Sequence, residues 1–439
     1  MASLNKAIPS TPIFTHEGAK AKHINTEQML RRSVLSCMLW EDQFYESGIS
    51  VAERISKLIP LVAPDRVAKL ALEARTSYKL RHIPLLLTRE MARHKTHKHY
   101  VADTLSAIIQ RADELSEFLA IYWKDGKTPI AAQVKKGLAS AFGKFDEYAL
   151  GKYNRDAAVK LRDVLFLCHP KPSSPIQESL WKRLVDGELA IPDTWEVALS
   201  AGKDKKETFE RLMTEGKLGG MALLRNLRNM EKASVDEKLI RESINRMRTE
   251  RILPFRFIAA AKFANHLEDV LESSMLKCME GMEKLPGKTK LLIDVSGSMD
   301  APISASHGRQ SDITRLDAAC GIAMLARELC SEVEIHTFSH NTVRVAPRRG
   351  FALKEAIIKS QPHGGTYLGK AIKDIGKDYD RLIVFTDEQS HDSVPDPTGK
   401  AYMVNVASYQ NGVGYGKWTH IDGFSEATIK WIGAFEKEF

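Results

Sequence analysis

Disulfide frameworks, zinc fingers and membrane spans are all missing from this sequence. The 439-residue chain has five cysteines, an odd and scattered set without a Cys-x-x-Cys pair. Thiols spaced in this way are typical of reduced core residues in a cytosolic protein. No apolar run reaches the length of about 18 residues that a membrane span needs, and the first residues lack the apolar core of a signal peptide. We therefore expect a cytoplasmic protein that has no membrane partner.

Strand signals are also scarce before Lys288. Helical periodicity recurs from Asn25 onward, and the apolar stripe within residues 101–123 predicts one continuous helix there. Residues 254–284 are predicted as a second long helix. A succession of helices with short turns is typical of an α-solenoid, although this sequence contains no clean repeat. The first part of the chain is therefore predicted to be all-α.

From Lys288 the pattern changes to alternating strands and helices, which predicts a doubly wound, Rossmann-like α/β domain. A chain of this length is too long for a single core, and Pro286-Gly287 forms a natural boundary. We predict a multi-domain protein with a polar lead-in at 1–24, a helical-repeat domain at 25–284 and an α/β domain at 288–439.

The net positive charge of the chain belongs to the helical part. From Lys288 onward there are 18 Lys and Arg against 19 Asp and Glu, a net charge of −1. The preceding residues hold 46 against 37, a net charge of +9, and the whole chain carries +8. A polyanionic partner is therefore expected to bind the helical part.

Oxygen-bearing side chains follow two strands and a glycine turn of the predicted α/β domain. In LLIDVSGSM (291–299) a buried strand ends at Asp294, and Ser296 and Ser298 come next. Thr366 follows two glycines, and Asp387 ends the second buried strand, RLIVFTD. Open α/β sheets bind their ligands at the carboxyl ends of such strands. Hard oxygens with few charges suit Mg²⁺, so these five residues are predicted to bind a divalent cation.

Ser296 has a second interpretation, as a nucleophile. The G-x-S-x-G elbow is absent, since Asp294 and Ser298 occupy its glycine positions, and no histidine is placed by sequence to act as the base. The basic part also offers no convincing carboxylate cluster for a nuclease. We therefore predict a protein that is not an enzyme, with no catalytic residues and no small-molecule substrate.

The five oxygen ligands resemble the metal-ion-dependent adhesion site of the von Willebrand factor A domain, whose D-x-S-x-S, Thr and Asp elements they match at every position. Blocks of the helical part resemble the TROVE module of the Ro autoantigen family. These blocks are RRSVLSCMLWEDQFYESG (31–48), KKGLASAFGKFDEYALGKYN (135–154), MALLRNLRNM (221–230) and LPFRF (253–257). Together the two resemblances cover nearly the entire chain.

The resemblance to the Ro family implies a ring of HEAT-like helical repeats closed by the A domain. Members of this family bind small non-coding Y RNAs on the outer surface and pass single-stranded 3′ ends of misfolded RNAs through the ring. The resemblance thus implies a ribonucleoprotein of RNA quality control, with an exoribonuclease as a further partner. Such a protein contacts phosphates without reading bases, so its affinity is expected to depend on salt.

Two basic stretches are candidate RNA contacts. The first comprises Arg89, Arg93, His94, Lys95, His97, Lys98 and His99. Its alternative interpretation is a solvated helix end, and zinc binding by its histidines lacks a further ligand. The second overlaps a TROVE-like block and is our preferred Y RNA site, although some of its members are expected to be plain surface lysines. It comprises Lys135, Lys136, Lys144, Lys152, Arg155, Lys160 and Arg162.

Two further alternatives stay open at this point. Arg225, Arg228 and Arg256 either line the opening of the ring or form buried ion pairs. The whole chain has an alternative function as a metal-dependent protein-interaction module, in which the helical part is only a scaffold. Loss of a protein partner on adding a chelator would favour this second function.

Overall fold

The computed structural model describes most of the chain. The described residues are 14–15, 18, 25–35, 47–154, 157–249, 252, 254–277, 283–303, 305–306, 309–310, 312–407, 412–423 and 427–438. They divide into two compact units. The α/β unit holds those within 1–32, 42–47 and 281–439, and the helical unit holds those within 33–41 and 48–280. The predicted boundary between 284 and 288 lies close to the division after residue 280.

The described part before residue 281 is helical. Its helices are α1 Thr26–Leu35, α2 Gly48–Leu58, α3 Pro64–Thr76, α4 His82–Arg93, α5 Lys98–Ile108, α6 Asp113–Tyr122, α7 Ala132–Phe142, α8 Glu147–Tyr153, α9 Leu161–Cys168, α10 Pro175–Asp186, α11 Trp195–Ser200, α12 Lys205–Thr214, α13 Gly220–Lys232, α14 Glu237–Arg246, α15 Pro254–Phe263 and α16 Glu268–Leu276. None of the helices in the described ranges combines the length and the apolar character needed to cross a bilayer.

Helices of the helical unit pack in alternating rows. α5 packs against α3 and α7, and α7 packs against α9, while α4 packs against α6. Farther along the chain, α14 packs against α12 and α16, and α13 packs against α15. Many of these helices thus cover their apolar stripes with the helix two positions away as well as with adjacent helices, which is the architecture of a helical-repeat α-solenoid. This confirms the predicted fold of the helical part.

The prediction of one continuous helix over 101–123 is wrong. α5 ends at Ile108 and α6 begins at Asp113. The side chain of Glu114, which is fully buried, accepts hydrogen bonds from the backbone N–H groups of Gln110 (2.8 Å) and Arg111 (3.1 Å). Arg75 holds the break from the other side, because its guanidinium donates to the Ile108 carbonyl at 2.9 Å and to Glu114 at 2.6 Å.

The predicted long helix over 254–284 is likewise divided. α15 ends at Phe263, and Ala264 leaves the helical conformation with φ −136° and ψ 62°. A short 3-10 turn leads into α16, which ends at Leu276. Both corrections arise because a helical period continues in phase through a short break, so that the apolar pattern alone does not record the interruption.

The α/β unit contains a six-stranded sheet. Its elements are β1 Leu285–Asp294, β2 Ala305–Ser306, β3 Arg309–Gln310, α17 Arg315–Leu329, β4 Cys330–Phe338, β5 Thr342–Arg344, α18 Gly350–Ile358, α19 Leu368–Asp374, β6 Arg381–Thr386, β7 Lys400–Asn405, β8 Thr419–Asp422 and α20 Ala427–Glu438. The order in the sheet is β5-β4-β1-β6-β7-β8, and only β5 pairs antiparallel, with β4. β2 and β3 form a separate two-stranded hairpin.

Helices cover the two faces of this sheet. α19 contributes Leu368 and Ala371 to a core that includes Leu292 of β1 and Val384 of β6. α17 packs against β1, β4 and β6, and also against α18 and α20. The strands are therefore buried on both sides, as the uninterrupted apolar run of β6 predicts. This confirms the predicted doubly wound α/β architecture; β8 has no counterpart in the prediction.

Three cysteines lie in the described ranges, and all three are free and buried: Cys168, Cys320 and Cys330. Burial raises the pKa of Cys168 to about 12 and raises that of Cys320 as well, so both thiols stay protonated. Cys320 lies on α17, whereas Cys330 begins β4. Cys37 and Cys278 lie outside the described residues.

Candidate metal and RNA sites

Asp294 is the buried centre of the predicted metal site. It ends β1, where its Oδ1 accepts a hydrogen bond from the backbone N–H of Ser296 at 2.9 Å. Its Oδ2 accepts a second from the hydroxyl of Thr386 at 2.6 Å. Burial, together with the nearby carboxylate of Asp387, raises the pKa of Asp294 to about 7. The carboxylate is thus oriented by its neighbours but is short of positive charge.

Asp387 follows β6, the strand that pairs with β1 in the sheet. Its side chain is fully buried, and Oδ1 accepts a hydrogen bond from the backbone N–H of Gln389 at 3.2 Å. The Arg315 guanidinium lies 3.4 Å from Oδ2 and is also fully buried. One guanidinium therefore lies beside Asp387, and the two buried carboxylates of Asp294 and Asp387 together exceed its charge when both are ionised.

Thr366 reaches the same edge of the sheet from the loop before α19. The backbone N–H of Gly297 donates to the Gly364 carbonyl at 3.0 Å, which joins this loop to the one after β1. The backbone N–H of His391 donates to the Thr366 carbonyl at 2.8 Å, which joins it to the loop after β6. The structure therefore brings the three predicted loops together at the switch point between β1 and β6, where ligands of open sheets bind.

The donor set at this edge fits a hard divalent cation. The hydroxyl oxygens of Ser296 and Ser298 are 3.3 Å apart, and neighbouring oxygens on one octahedral Mg²⁺ are about 3 Å apart. Ser298 is half-buried, whereas the carboxylates below it are fully buried. A cation held here would balance the buried negative charge and keep an open side for waters or for an oxygen of another molecule.

The sequence did not point to two residues that shape this site. Thr386 donates to Asp294, and its position directly before Asp387 was a signal that could have found it. Arg315 is placed by the start of α17, where Thr314 and Asp317 form a capping box. That Thr-x-x-Asp pattern predicts the helix start, but not the partner of the guanidinium.

The preferred basic stretch lies on neighbouring helices of the helical unit. Lys135 and Lys136 lie on α7, which packs against α9, and α9 carries Arg162. Lys136, Lys144 and Arg162 are exposed, and the others are half-buried. We call the six described members the α7–α9 patch: Lys135, Lys136, Lys144, Lys152, Lys160 and Arg162. Arg155 lies outside the described residues.

Cations of this patch are largely available to a ligand. Within the described ranges, no carboxylate pairs with Lys135, Lys136, Lys152 or Arg162. Lys152 instead lies over the ring of Tyr148, with its Nζ 5.9 Å from the ring centroid. Tyr148 is itself 54% exposed, so the patch also presents an aromatic face. A groove of about 790 Å³ opens beside Lys152 and is lined on its other side by residues from 187 to 201.

The first basic stretch is engaged differently. Arg89 is buried and pairs with Glu90 and Asp125. Arg93 donates to the same Asp125 carboxylate at 3.1 Å, and these two arginines lower the pKa of Asp125. His97 is 1% exposed, and its Nε2 lies 3.1 Å from the Val62 carbonyl.

The remaining members of that stretch lie at the surface. Lys95, Lys98 and His99 are exposed, and His94 is half-buried. No three His, Cys, Asp or Glu side chains in the described ranges form a group that could hold a metal ion. The structure therefore separates this stretch into surface cations and internally paired ones, rather than one continuous binding surface.

Arginines of the MALLRNLRNM block lie at the surface of the helical unit. Arg225 and Arg228 are exposed on α13, and the Arg228 guanidinium lies 5.1 Å from the centroid of the exposed Phe263 ring. Arg256, on α15, is half-buried. The first two are thus surface groups and not members of buried ion pairs.

Comparisons with known proteins bear on the identity of the chain. The TROVE domain family model matches residues 182–310. Telomerase protein component 1 of Mus musculus is 35% identical over 155 residues, which cover 33% of this chain and 6% of that protein. The same component of Rattus norvegicus is 23% identical over 354 residues, which cover 60% of this chain and 13% of that protein. The chain thus spans only a small part of the length of these relatives.

A solved structure extends the likeness to nearly the whole chain. The Ro (RSR) protein of Deinococcus radiodurans matches with a TM-score of 0.60 and 18% sequence identity, covering 94% of this chain and 100% of that one. At this identity the match establishes the fold. Residues 182–310 are therefore similar to the TROVE domain, and the chain has the fold of a Ro protein, which confirms the resemblance to the Ro family drawn from its motifs.

Proposed function

We propose that this protein binds small structured RNA through its helical unit and acts in non-coding RNA quality control. Its ligands are Y-like RNAs and the single-stranded 3′ ends of misfolded or structured RNAs, and an exoribonuclease is a further partner. It acts by binding and not by catalysis. The cytoplasmic location that we propose is consistent with the free thiols of Cys168, Cys320 and Cys330.

The observation that carries this proposal is the set of available cations in the α7–α9 patch. Lys135, Lys136, Lys152 and Arg162 have no carboxylate partner within the described ranges, so a phosphate does not have to displace one. Arg89 and Arg93, in contrast, would have to leave Asp125. Phosphate contacts release counterions and supply most of the affinity for a polyanion without base readout.

Aromatic surface beside these cations favours RNA with unpaired bases. The exposed ring of Tyr148 offers a face on which a base can stack, and such stacking contributes about 1–3 kcal/mol per base. Bases in loops, bulges and ends are free to stack in this way, whereas those inside an A-form helix are not. Structured RNA with accessible ends is therefore the ligand class that we propose.

Binding of a labelled RNA hairpin with a single-stranded 3′ tail to the purified protein tests the proposal. At 50 mM salt we expect retention of this RNA in a filter-binding assay, with weaker retention of a blunt duplex of equal length. Absence of retention of either RNA at low salt would contradict RNA binding. Equal retention of the two would remove the preference for unpaired ends.

The α/β unit supports a second proposed activity, which is docking of another protein through Mg²⁺. Asp294, Ser296, Ser298, Thr366 and Asp387 would hold the ion, which supplies an electrophilic centre for an oxygen of the partner. The half-buried position of Ser298 above two buried carboxylates favours this use, because it leaves one side of the site open. In this proposal the chain's own residues fix the ion and neutralise it only in part.

Pull-down of a host lysate in Mg²⁺ and in EDTA distinguishes the two activities. A protein captured only in Mg²⁺, and lost from an Asp387→Asn variant, would support metal-dependent docking. RNA recovered equally in both buffers would show that RNA binding does not depend on the metal site. Both activities can coexist, since their residues belong to different units.

A further inference from the structure

The loop that carries Asp387 is held by the N-terminal segment of the chain. Thr15, which is buried, donates its hydroxyl to the Ser390 carbonyl at 2.7 Å. Arg32, from α1, pairs with Glu388 and also donates to the Tyr415 hydroxyl at 2.8 Å. All of these residues belong to the α/β unit. We refer to residues 387–392 as the Asp387 loop.

Arg32 and Glu388 form a fully buried ion pair, with both side chains 0% exposed. His420 completes the site of Glu388, since its Nδ1 lies 2.9 Å from Oε1. A Cβ added at Gly412 would lie 2.2 Å from Glu388 Oε2, so the backbone also closes tightly around this pair. Removing one partner of such a pair leaves an uncompensated buried charge, which destabilises the arrangement strongly.

Glu388 has a backbone conformation that the sequence does not favour. Its φ is +62°, a left-handed value that costs free energy for a residue other than glycine. Surrounding contacts must therefore hold it, and the buried pair with Arg32 is the contact that fixes its side chain. The conformation of the Asp387 loop thus depends on a residue that lies more than 350 positions earlier in the chain.

Hydrogen bonds connect Glu388 to both carboxylates of the metal site. The Glu388 N–H donates to the Thr386 hydroxyl at 3.0 Å, and that hydroxyl donates to Asp294 Oδ2 at 2.6 Å. Asp387 is the residue between them, and its Oδ1 is held by the N–H of Gln389 at 3.2 Å. A shift of Glu388 would therefore turn the Asp387 carboxylate and disturb the donor that orients Asp294.

We infer that Arg32 is a positioning residue for the metal site, and that cation binding and docking of the N-terminal segment stabilise each other. The inference rests on the proposed Mg²⁺ site. Coupling between two binding events is reciprocal, so a segment that orders the ligands is itself held more firmly when the ion binds. Loss of residues that hold metal ligands in position typically lowers metal affinity about 10- to 100-fold.

A pair at the opposite end of the sheet provides the matched control. Arg381 begins β6, and it pairs with Glu436, with side chains 2% and 7% exposed. Arg32→Met and Arg381→Met each remove one guanidinium from a buried ion pair of the same unit. We expect Arg32→Met to weaken Mg²⁺ binding at least 10-fold in isothermal titration calorimetry, and Arg381→Met to leave it within about twofold of the wild type.

Hydrogen exchange on the wild-type full chain supplies a second measurement that needs no variant. Mg²⁺ should slow amide exchange in the described residues of α1 up to Arg32, and should leave exchange in α16 unchanged. This readout stands if Arg32→Met fails to fold. A role of Arg32 in stability alone would not produce Mg²⁺-dependent protection of α1.

The outcomes distinguish failure of the inference about Arg32 from failure of the proposed Mg²⁺ site. If the wild type binds no Mg²⁺, the proposed metal site is wrong. If the wild type binds Mg²⁺ while Arg32→Met binds it equally well, or α1 gains no protection, the inference about Arg32 is overturned. Reduced affinity in both variants would also overturn it, because the loss would then follow general destabilisation.

Discussion

Removing charge from the α7–α9 patch should reduce the salt dependence of RNA binding by a calculable amount. The perturbation is the fourfold variant in which Lys135, Lys136, Lys152 and Arg162 are each replaced by Gln. These cations have no carboxylate partner in the part of the chain that the structure describes, so each is available to one phosphate. Glutamine keeps most of the side-chain length while removing the charge.

The magnitude follows from counterion release. Each phosphate contact contributes about 0.9 to the slope of log K against log[salt] on a duplex and about 0.7 on a single strand. Loss of four contacts should therefore reduce the slope by roughly 3.6 on a duplex or 2.8 on a single strand. With a slope difference of 3.6, raising the salt from 50 to 200 mM should lower the RNA affinity of the wild type by a factor roughly 150-fold larger than that of the variant.

Filter binding of a labelled RNA hairpin at four salt concentrations measures this slope. The matched control removes the same charge from other exposed lysines of the helical unit, as Lys203, Lys205, Lys232 and Lys238→Gln. We expect the control to keep a slope within about one of the wild type. Equal loss in both variants would mean that RNA responds to overall charge, and an unchanged slope in the patch variant would exclude the patch as the site.

Three further predictions concern stability and metal binding. Burial opposes protonation of His420, but two neighbouring carboxylates raise its pKa to about 9. Protonated His420 should therefore stabilise the fold below pH 6.5, and this stabilisation should be lost as pH rises through 9. In urea unfolding, the free energy of unfolding of the wild type should fall by about 3 kcal/mol over this pH range because of His420, and His420→Gln should lack this fall. Glu114→Gln leaves Arg75 buried without its anion and should cost about 3–5 kcal/mol in the same assay. Asp387→Asn should abolish any rise in Tm on adding Mg²⁺, whereas Asp378→Asn, on an exposed residue, should keep it.

Much of the proposed metal site could be located from the sequence because its residues are fixed by strand ends. A buried apolar run defines a strand, and the polar residues that follow it must lie at the carboxyl edge of the sheet. Asp294 and Asp387 were found in this way. Glu388 was not, since nothing in RLIVFTDE distinguishes a carboxylate that faces the cation from one that pairs with a distant arginine. That difference is set by the left-handed φ of Glu388 and by Arg32, and Arg32 lies far from the motif in the sequence.

Helix boundaries show a similar limit. The apolar residues of α5 and α6 continue in phase across Ile109, so periodicity predicted one helix. The break depends on Glu114, whose carboxylate occupies a buried position that an apolar residue would normally fill. A charged residue on the apolar face was the available signal. Its meaning depends on Arg75, which lies 39 residues earlier and supplies the compensating charge.

The sequence shows where basic residues cluster, but it does not show which cluster is free to bind a phosphate. Arg89 and Arg93 lie in the densest run of cations in the chain, yet both pair with Glu90 and with Asp125, which follows more than 30 residues later. The density of basic residues in the sequence therefore gives the number of cations present, but not the number that are available to bind a phosphate. The difference matters for binding, because a paired guanidinium must first lose its carboxylate before it can release a counterion. On this ground we propose the sparser α7–α9 patch as the RNA surface, because Lys135, Lys136 and Lys152 have no carboxylate partner in the described ranges and Tyr148 is exposed.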